Sequence, residues 1–448
     1  MKQINAFVIN NIHGETMKKY DLTKGEVTKV ILSLAIPIMG SSLLQFSYNL
    51  VDMLCVGSLG SNAVASIGSS SFFIGLGYSI NALVVIGTGI KVAHSIGNKN
   101  DLDIKKYINS GILLNLIIGL IYCSVLIFGG KTLISFLKLN NLEVERKAYW
   151  YLLLNGPNMI FIFFNTLYSK ILNSYGNNKM ALKINAVGIV TNIILNPIFI
   201  YAFKLGVLGS AIATLISNII LFLVFRYKGR CIFRYDFNIS IDIDKIKEIM
   251  MLGFPMAFQR VLFTLVNIIL ARIIAMFGSD AIAAQKIGLQ IESIAFMIIG
   301  GLSGAVSSFS GQNFGAKKLD RVIEGYKSSI MIAVVYSVIT TSLFIFCPEF
   351  LSKIFIRDIN TIKLASGYLK IIAISQVFSA VEMVSNGFFT GVGKPKIPAY
   401  ISIIFTTLRI PMALLFAKFI GVSGIWLSIS LSSVFKGVAA YVLYLIKF

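Results

Sequence analysis

The chain has 448 residues, of which 56% are hydrophobic and only 13% are charged, and its mean hydropathy is +0.82. This composition excludes a soluble enzyme or binding module of this size and indicates a membrane protein. The net charge of +21 does not indicate nucleic-acid binding, because the basic residues concentrate in the tails and in alternate loops.

Apolar runs of about 20 residues or more, the length that crosses a bilayer, recur along the whole chain. In chain order, the twelve predicted spans are residues 27–57, 63–90, 107–129, 149–173, 181–203, 207–226, 249–277, 281–309, 326–347, 367–392, 398–420 and 422–446. The residues before the first span form a polar tail, and no small-residue cleavage site follows an early apolar core, so we do not expect a signal peptide. If Met17 is the true start, residues 1–16 are an upstream extension.

The spans predict an all-α integral membrane protein with two lobes of six helices. We assign residues 1–23 to an N-terminal tail, 24–225 to the first lobe, 226–248 to a polar linker and 249–448 to the second lobe. Lys and Arg concentrate in the tails and the even-numbered loops, which is the positive-inside pattern. We therefore expect a multi-pass protein of a prokaryotic plasma membrane, with the linker and both termini in the cytoplasm.

The second lobe repeats the first with a shift of 218 residues. Leu34-Ala-Ile-Pro37 aligns with Leu252-Gly-Phe-Pro255, and Gly60-Ser-Asn-Ala63 aligns with Gly278-Ser-Asp-Ala281. Because each half holds an even number of spans, both halves begin on the same side of the membrane. This predicts a parallel repeat about an axis along the membrane normal, with the substrate path in the cleft between the lobes.

Asp52 is the only carboxylate in the apolar segments of the first half. A charge in the middle of a membrane helix costs about 3 kcal/mol on insertion scales, so an intramembrane carboxylate faces a partner, water or an ion. Gln45, Tyr48 and Asn49 share its helical face, because they precede it by seven, four and three residues.

Polar stripes in the fifth and sixth spans supply further oxygen atoms for a cation site. Asn192, Asn196 and Thr214 belong to these stripes. Taken singly, each such residue is an ordinary interhelical contact. Together with Asp52 they predict a ligand set for Na⁺ or a network around a protonated carboxyl. Pro37 removes a hydrogen bond from the first span, which gives either a static kink or a hinge between the lobes.

The second half carries different polar groups, and the repeat partner of Asp52 is Leu270, so ion coupling is expected to be asymmetric. The candidates for lining a substrate cavity are Gln259, Arg260, Asn267, Gln290, Glu292, Glu382 and Arg409. The two acids require neutralising partners, for which Arg260, Lys286 and Arg409 are candidates. Arg272 and Lys436 lie near span ends, where snorkelling or a structural ion pair is expected.

No catalytic or metal-binding motif stands out. The four cysteines are scattered, and the two histidines cannot form a metal cluster. We therefore expect no enzyme activity and no cofactor beyond a coupling ion, with the lipid bilayer and small organic molecules as partners. A monomer is expected, since both lobes lie on one chain.

Several motifs resemble the multidrug and toxic compound extrusion (MATE) transporters. The first-span run Tyr48-Asn-Leu-Val-Asp52, the fifth-span run Asn192-Ile-Ile-Leu-Asn196-Pro and the run Gly311-Gln-Asn-Phe-Gly-Ala316 carry the resemblance. The first-span motif looks most like the prokaryotic subgroup related to DNA-damage-inducible protein F. The similarity covers essentially residues 24–448.

This resemblance implies two six-helix bundles in a V and export of amphipathic, often cationic compounds in exchange for H⁺ or Na⁺. It also implies a first-lobe cation site with Asp52 as the carboxylate, Gln45 and Tyr48 beside it, and Asn192 and Thr214 as further members. Relatives often carry a second aspartate at the position of Asn196. The asparagine in this chain therefore removes one titratable group from the site.

Two other functions remain open at this point. A flippase for a lipid-linked saccharide precursor belongs to the same superfamily, and Arg260, Lys286 and Arg409 would be the cations that such an anionic lipid requires. A channel or an integral membrane enzyme is disfavoured, because no selectivity filter and no catalytic constellation is recognisable.

Overall fold

The computed structural model describes residues 20–139, 141–237 and 239–448, so the start proposed at Met17 lies outside the described residues. The first half contains α1 (Val27–Gly57), α2 (Ser61–Gly97), α3 (Asp101–Phe136), α4 (Leu142–Ser174), α5 (Asn178–Pro197) and α6 (Gly206–Lys228). A short helix, α7 (Arg230–Phe233), follows in the linker. The second half contains α8 (Ile243–Ala275), α9 (Ser279–Gly315), α10 (Leu319–Phe346), α11 (Pro348–Lys353), α12 (Ile359–Ala373), α13 (Gln376–Gly391), α14 (Lys396–Ile420) and α15 (Val422–Lys447).

Every predicted span corresponds to a long helix or a helix pair. Within the described residues, ten helices are long and apolar enough to cross a bilayer, and the pair α12 and α13 forms an eleventh span that bends by 57°. The twelfth, α4, has 33 residues but is less apolar because it carries the buried Asn155, Asn158 and Asn165. The all-α membrane fold is confirmed, and the tenth span is a broken helix rather than the single helix expected.

The internal repeat is visible in the backbone of the turns. Gly60 and Gly278, which are repeat partners, adopt φ of 95° and 101°, values that a residue with a Cβ rarely adopts. Lys99 and Lys317 are also repeat partners, and both adopt the left-handed backbone conformation, with φ of 57° and 58°. Equivalent turns therefore join equivalent helices, as a parallel repeat requires.

The two halves interlock through glycines in α2 and α8. A Cβ at Gly253 would lie 1.7 Å from the carbonyl oxygen of Leu83, and a Cβ at Gly87 would lie 2.1 Å from that of Ile249. Since backbone contacts this close are possible only without a side chain, these glycines bring α8 directly against α2. The contact lies toward the end of the bundle where Leu22 and Lys447 lie.

A second crossing, between α2 and α9, closes the same end. A Cβ at Gly97 would lie 2.0 Å from the Gln312 carbonyl oxygen, and a Cβ at Gly315 would lie 2.2 Å from the His94 carbonyl oxygen. The Gln312 side chain donates to the Ser174 carbonyl at 2.7 Å and accepts from the Leu22 amide at 3.2 Å. The lobes are therefore joined by backbone packing and hydrogen bonds at this end.

Pro37 lies inside α1, which continues without a break from Val27 to Gly57. The neighbouring residues Ile38 and Met39 face Gly304 and Gly301 of α9, so Pro37 sits in the section of α1 that packs on the opposite lobe. A hinge at Pro37 remains a prediction.

The segment predicted as a linker, residues 226–248, holds the end of α6, the short helix α7 and the first residues of α8. Glu248 in this segment accepts a hydrogen bond from Tyr107 at 2.6 Å and pairs with Lys91 at 2.5 Å. The start of the second half is thereby tied to α2 and α3 of the first.

Candidate cation site and cavity

Asp52 lies on α1 and accepts two hydrogen bonds from other helices. Asn196, at the end of α5, donates to its Oδ1 at 2.6 Å, and Ser210 on α6 donates to the same atom at 3.0 Å. Both donors are fully buried, with 0% exposure. The carboxylate is therefore held between three helices inside the first lobe.

The local backbone explains how these donors reach the carboxylate. The α-helix of α5 ends at Pro197, and the chain continues as a π-turn, Ile198–Ala202, a local widening that is frequent at functional sites. A Cβ at Gly209 would lie 2.7 Å from the carbonyl oxygen of Phe199, so this glycine lets α6 approach the π-turn and brings Ser210 into range.

Tyrosines complete the surroundings of Asp52. The Tyr48 hydroxyl lies beside both Asp52 and Thr214. Tyr151 on α4 lies beside Asp52 and Ser210. Aromatic rings with polar tips exclude lipid from the surroundings of the carboxylate.

A second group of polar side chains lies one helical turn from Asn196 and Ser210. Asn192 donates to the Thr214 hydroxyl at 3.2 Å. The Oδ1 atoms of Asn192 and Asn196 are buried and have no hydrogen-bond partner. Amide, hydroxyl and carboxylate oxygens are the ligands that hard cations prefer, so the residues present fit Na⁺ as well as a proton on Asp52.

Gln45 and Asn49 point to a different part of the lobe. Gln45 donates to Asn49 at 3.3 Å, and both side chains line a cavity of about 580 Å³. Most of the other residues that line it are polar, among them Tyr78, Asn165, Thr166, Ser169, Lys170, Asn173, Asn185 and Asn218. The polar face predicted on α1 thus divides between the surroundings of Asp52 and this cavity.

The two acids of the second half lie in a separate buried cluster. Glu292 accepts from Tyr368 at 2.9 Å and from Gln376, the first residue of α13, at 3.3 Å. Glu382 accepts from Ser402 at 3.1 Å and lies 3.9 Å from the Lys436 ammonium. The bend before α13 therefore allows Gln376 to reach Glu292.

Arg409 is the cation between the two acids. It is electrostatically coupled to both Glu292 and Glu382, and its guanidinium donates to the hydroxyls of Ser432 and Ser433. Lys436 is only 4% exposed, so of the two roles expected for it the structure shows a buried ion pair rather than a snorkelling side chain. Arg260, a candidate for neutralising these acids, is not among the cations that act on them in the described part of the chain, which are Arg409 and Lys436.

The remaining candidates of the second half are not brought together. Asn267, Gln290 and Lys286 are exposed, and Gln259 is partly exposed. Arg409 is held within the acid cluster, so the three cations that a flippase would require do not form one site.

Sequence reasoning missed three residues of these sites. Ser210 lies on the polar stripe of the sixth span, which as a whole was expected to surround Asp52, but it is absent from the individual candidates for the cation site. Nothing in the sequence distinguishes Tyr151 as a site residue, because tyrosine is common near the ends of membrane spans. Lys170 counted as a loop cation, whereas it lies within α4 and lines the cavity.

Comparisons with known proteins identify the family. The MatE family model matches residues 37–198 and 255–415, two segments that begin 218 residues apart. A probable multidrug resistance protein, NorM, from Thermotoga maritima is 24% identical over 94% of this chain and 92% of its own length. A probable multidrug resistance protein, YpnP, from Bacillus subtilis is 27% identical over 96% of this chain and 97% of its own length. Multidrug export protein MepA from Staphylococcus aureus is 25% identical over 96% of each chain.

Solved structures show the same fold. An outward-facing multidrug resistance MATE family transporter of the MOP superfamily superposes with a TM-score of 0.89 at 23% identity, covering 96% of this chain and 97% of that chain. A MOP superfamily transporter from Pyrococcus furiosus, described as having a binding pocket of reverse polarity, gives a TM-score of 0.88 at 22% identity. The superposition covers 97% of this chain and 98% of that chain. The two matched segments and the full-length relatives together show that this chain belongs to the MatE family of membrane transporters.

Proposed function

We propose that the chain is a secondary antiporter that exports amphipathic, often cationic organic compounds in exchange for H⁺ or Na⁺. The observation that carries the proposal is Asp52, a carboxylate inside the first lobe that accepts from Asn196 and Ser210. The names of the relatives as multidrug resistance and export proteins support organic compounds as the cargo.

The coupling ion binds at Asp52 in this proposal. Neutralising this partly buried carboxylate, by a proton or by Na⁺, changes how strongly Asn196 and Ser210 are held. These donors sit on α5 and α6, on either side of the π-turn, so ion binding alters the contacts between α1 and these helices. An intramembrane acid whose partners lie on separate helices is suited to favour one arrangement of the lobe over another.

The energy available to this exchange is adequate. One elementary charge that crosses 100 mV supplies about 2.3 kcal/mol, which corresponds to a substrate gradient of roughly 40-fold. The interlock of α2 with α8 and α9 closes the cleft at the end where Leu22 and Lys447 lie, and transport requires it to open. From the basic loops we propose a plasma-membrane location with both termini cytoplasmic.

The test is export of ethidium from proteoliposomes that contain the full chain, with H⁺ and Na⁺ gradients imposed separately. We expect one gradient to drive export by the wild type and Asp52→Asn to abolish that dependence. Asp244→Asn, the same change at an exposed position, is the control and should export like the wild type. Asp52→Asn export with unchanged ion dependence would contradict the proposal.

A further inference from the structure

A basic cavity of about 420 Å³ lies where several membrane spans begin or end. It is formed by the last part of α2, the first part of α8, the turn between α13 and α14, and the end of α15. Because all of these are ends of spans, the cavity lies at one surface of the bilayer. Its charged lining residues are four lysines and one acid, namely Lys91, Lys394, Lys396, Lys447 and Glu248.

The one acid is already used by other groups. Glu248 pairs with Lys91 at 2.5 Å and accepts a hydrogen bond from Tyr107 at 2.6 Å. Within the described residues, the other three lysines of the cavity form no ion pair. The Lys394 ammonium instead lies 4.5 Å from the centre of the Phe448 ring. Three cations that share one cavity repel each other, and an anion between them removes that repulsion.

The cavity continues into apolar surface along two helices. Met251 of α8 and Ile397 of α14 line it, and these two helices pack against each other. One turn further along each helix, Phe254 and Tyr400 are both 60% exposed. Large apolar side chains that are exposed within a membrane span face the acyl chains of the bilayer. A ligand that fits this arrangement therefore has an anionic group attached to an apolar body.

The internal repeat shows that the turn itself does not require these cations. Gly176, between α4 and α5, corresponds to Gly393, between α13 and α14, and the two have φ of 75° and 79°. Both turns also end the preceding helix with the same pattern of backbone hydrogen bonds. The residue after the glycine is Asn177 in the first half, where its side chain caps α5, but Lys394 in the second. An uncharged residue thus forms the same turn, so the fold does not explain the lysine.

We propose that this cavity binds the headgroup of an anionic phospholipid. Its phosphate lies among Lys394, Lys396 and Lys447, and its acyl chains follow the exposed apolar surface of α8 and α14. Basic pockets between membrane helices are suited to such headgroups, and the adjoining apolar surface favours a lipid over a free anion. Since Lys91 on α2 also lines the cavity, the bound lipid contacts both halves of the chain beside their interlock.

The experiment counts the lipids that bind to the full chain in detergent micelles, by native mass spectrometry. We expect the wild type to bind one phosphatidylglycerol about tenfold more tightly than phosphatidylcholine, whose headgroup has no net charge. Lys394→Gln and Lys396→Gln should each weaken phosphatidylglycerol binding by about fivefold, the contribution of one cation beside an anionic lipid. Lys396→Arg retains the charge and should bind like the wild type.

The repeat supplies a matched control. Lys179 follows Gly176 by three residues, as Lys396 follows Gly393, and it is exposed at the start of α5. Lys179→Gln therefore removes the same charge from the equivalent position of the first half, outside the cavity. We expect this variant to bind phosphatidylglycerol as tightly as the wild type.

A competition arm separates a lipid from a free anion. Glycerol 3-phosphate carries the phosphate group without acyl chains, so we expect about 1 mM of it, a concentration at which only very weak ligands fail to bind, to leave the bound phosphatidylglycerol in place. Retention of the lipid supports the proposal. Displacement of the lipid by an equal concentration of glycerol 3-phosphate would show that the apolar surface contributes nothing, which would overturn the assignment to a lipid.

Two further results would overturn the inference. One is wild-type protein that binds phosphatidylglycerol no more tightly than phosphatidylcholine. The other is binding by Lys394→Gln and Lys396→Gln that equals binding by Lys179→Gln, with all variants eluting as folded monodisperse protein. Ion-driven export of ethidium is a separate measurement, so its loss would contradict the proposed antiporter and leave the lipid site standing.

Discussion

Asn196 donates to Asp52 at 2.6 Å, although the two residues are 144 positions apart in the chain. The donor is fully buried and is placed by Pro197 and the π-turn that follows it. A neutral amide here holds the carboxylate without adding a second charge. The first lobe therefore has one titratable acid at this site, with polar but uncharged partners.

The first prediction concerns this hydrogen bond. Asn196→Ala should lower the proton concentration needed for half-maximal ethidium export by about tenfold or more, because the hydrogen bond that it removes stabilises the charged, proton-free form of Asp52 by about 1.5–3 kcal/mol. Export rates from proteoliposomes, measured over a range of ion concentrations, provide the test. Asn62→Ala removes an exposed amide from the start of α2 and serves as the control, and equal ion dependence in both variants would exclude a role for Asn196.

The second prediction concerns the interlock between the lobes. Gly253→Ala places a methyl group where the Leu83 carbonyl lies, and we expect a loss of about 1–3 kcal/mol in the free energy of unfolding from overpacking. Chemical unfolding in detergent micelles measures the change. Gly129→Ala lies in open space and should be neutral or stabilising by about 0.5–1 kcal/mol. If both variants unfold like the wild type, α8 does not pack against α2 as described.

The third prediction separates buried from exposed ion pairs. Glu382→Leu leaves Lys436 and Arg409 buried without that carboxylate, which should cost about 3–5 kcal/mol of unfolding free energy. Glu349→Leu breaks the exposed pair with Lys353 and should change stability by about 1 kcal/mol at most. The double variant Glu382→Leu/Lys436→Leu should lose less than the sum of its single changes, because the uncompensated cation is also removed. Additive losses would show that the pair is not coupled.

The fourth prediction concerns pH and the start of α12. Asp358 accepts from the Thr361 amide and hydroxyl, both at 2.8 Å, and these bonds lower the pKa of Asp358 below its ordinary value. A lowered pKa means that the cap stabilises the fold above the ordinary pKa of an aspartate and loses this effect as pH falls through the lowered value. Asp358→Ala should therefore melt at a lower temperature than the wild type near pH 7. The difference should shrink in acid, and a difference independent of pH would contradict this account.

The sequence predicted the spans closely because a bilayer imposes a length and a composition on each helix. The first predicted span, residues 27–57, coincides with α1, and the twelfth, 422–446, differs from α15 by one residue at its end. The broken tenth span was not predicted, because Ser375 and Gln376 are ordinary residues whose arrangement follows from a contact with Glu292 on another helix. The hydrophobic pattern alone does not contain that contact.

The candidate site was partly predictable for the same reason. An acid in an apolar segment is conspicuous, so Asp52 stood out, and helical periodicity indicated which neighbours shared its face. Periodicity does not show where along a face one site ends and another begins. Gln45 and Asn49 therefore lie in the cavity wall, while Tyr48 remains beside the carboxylate.

By itself, the sequence determined the membrane class, the twelve segments, the repeat of 218 residues and the importance of Asp52, since each depends on composition or spacing along the chain. Only the tertiary structure decided which groups meet. Asn196 and Ser210 reach Asp52 because a π-turn and Gly209 bring α5 and α6 together. Lys170 lies against α2 because Gly89 leaves room for its side chain, and α8 meets α2 because Gly87 and Gly253 have none. Such contacts depend on close packing between helices that are distant in sequence, and a hydropathy pattern does not predict that packing.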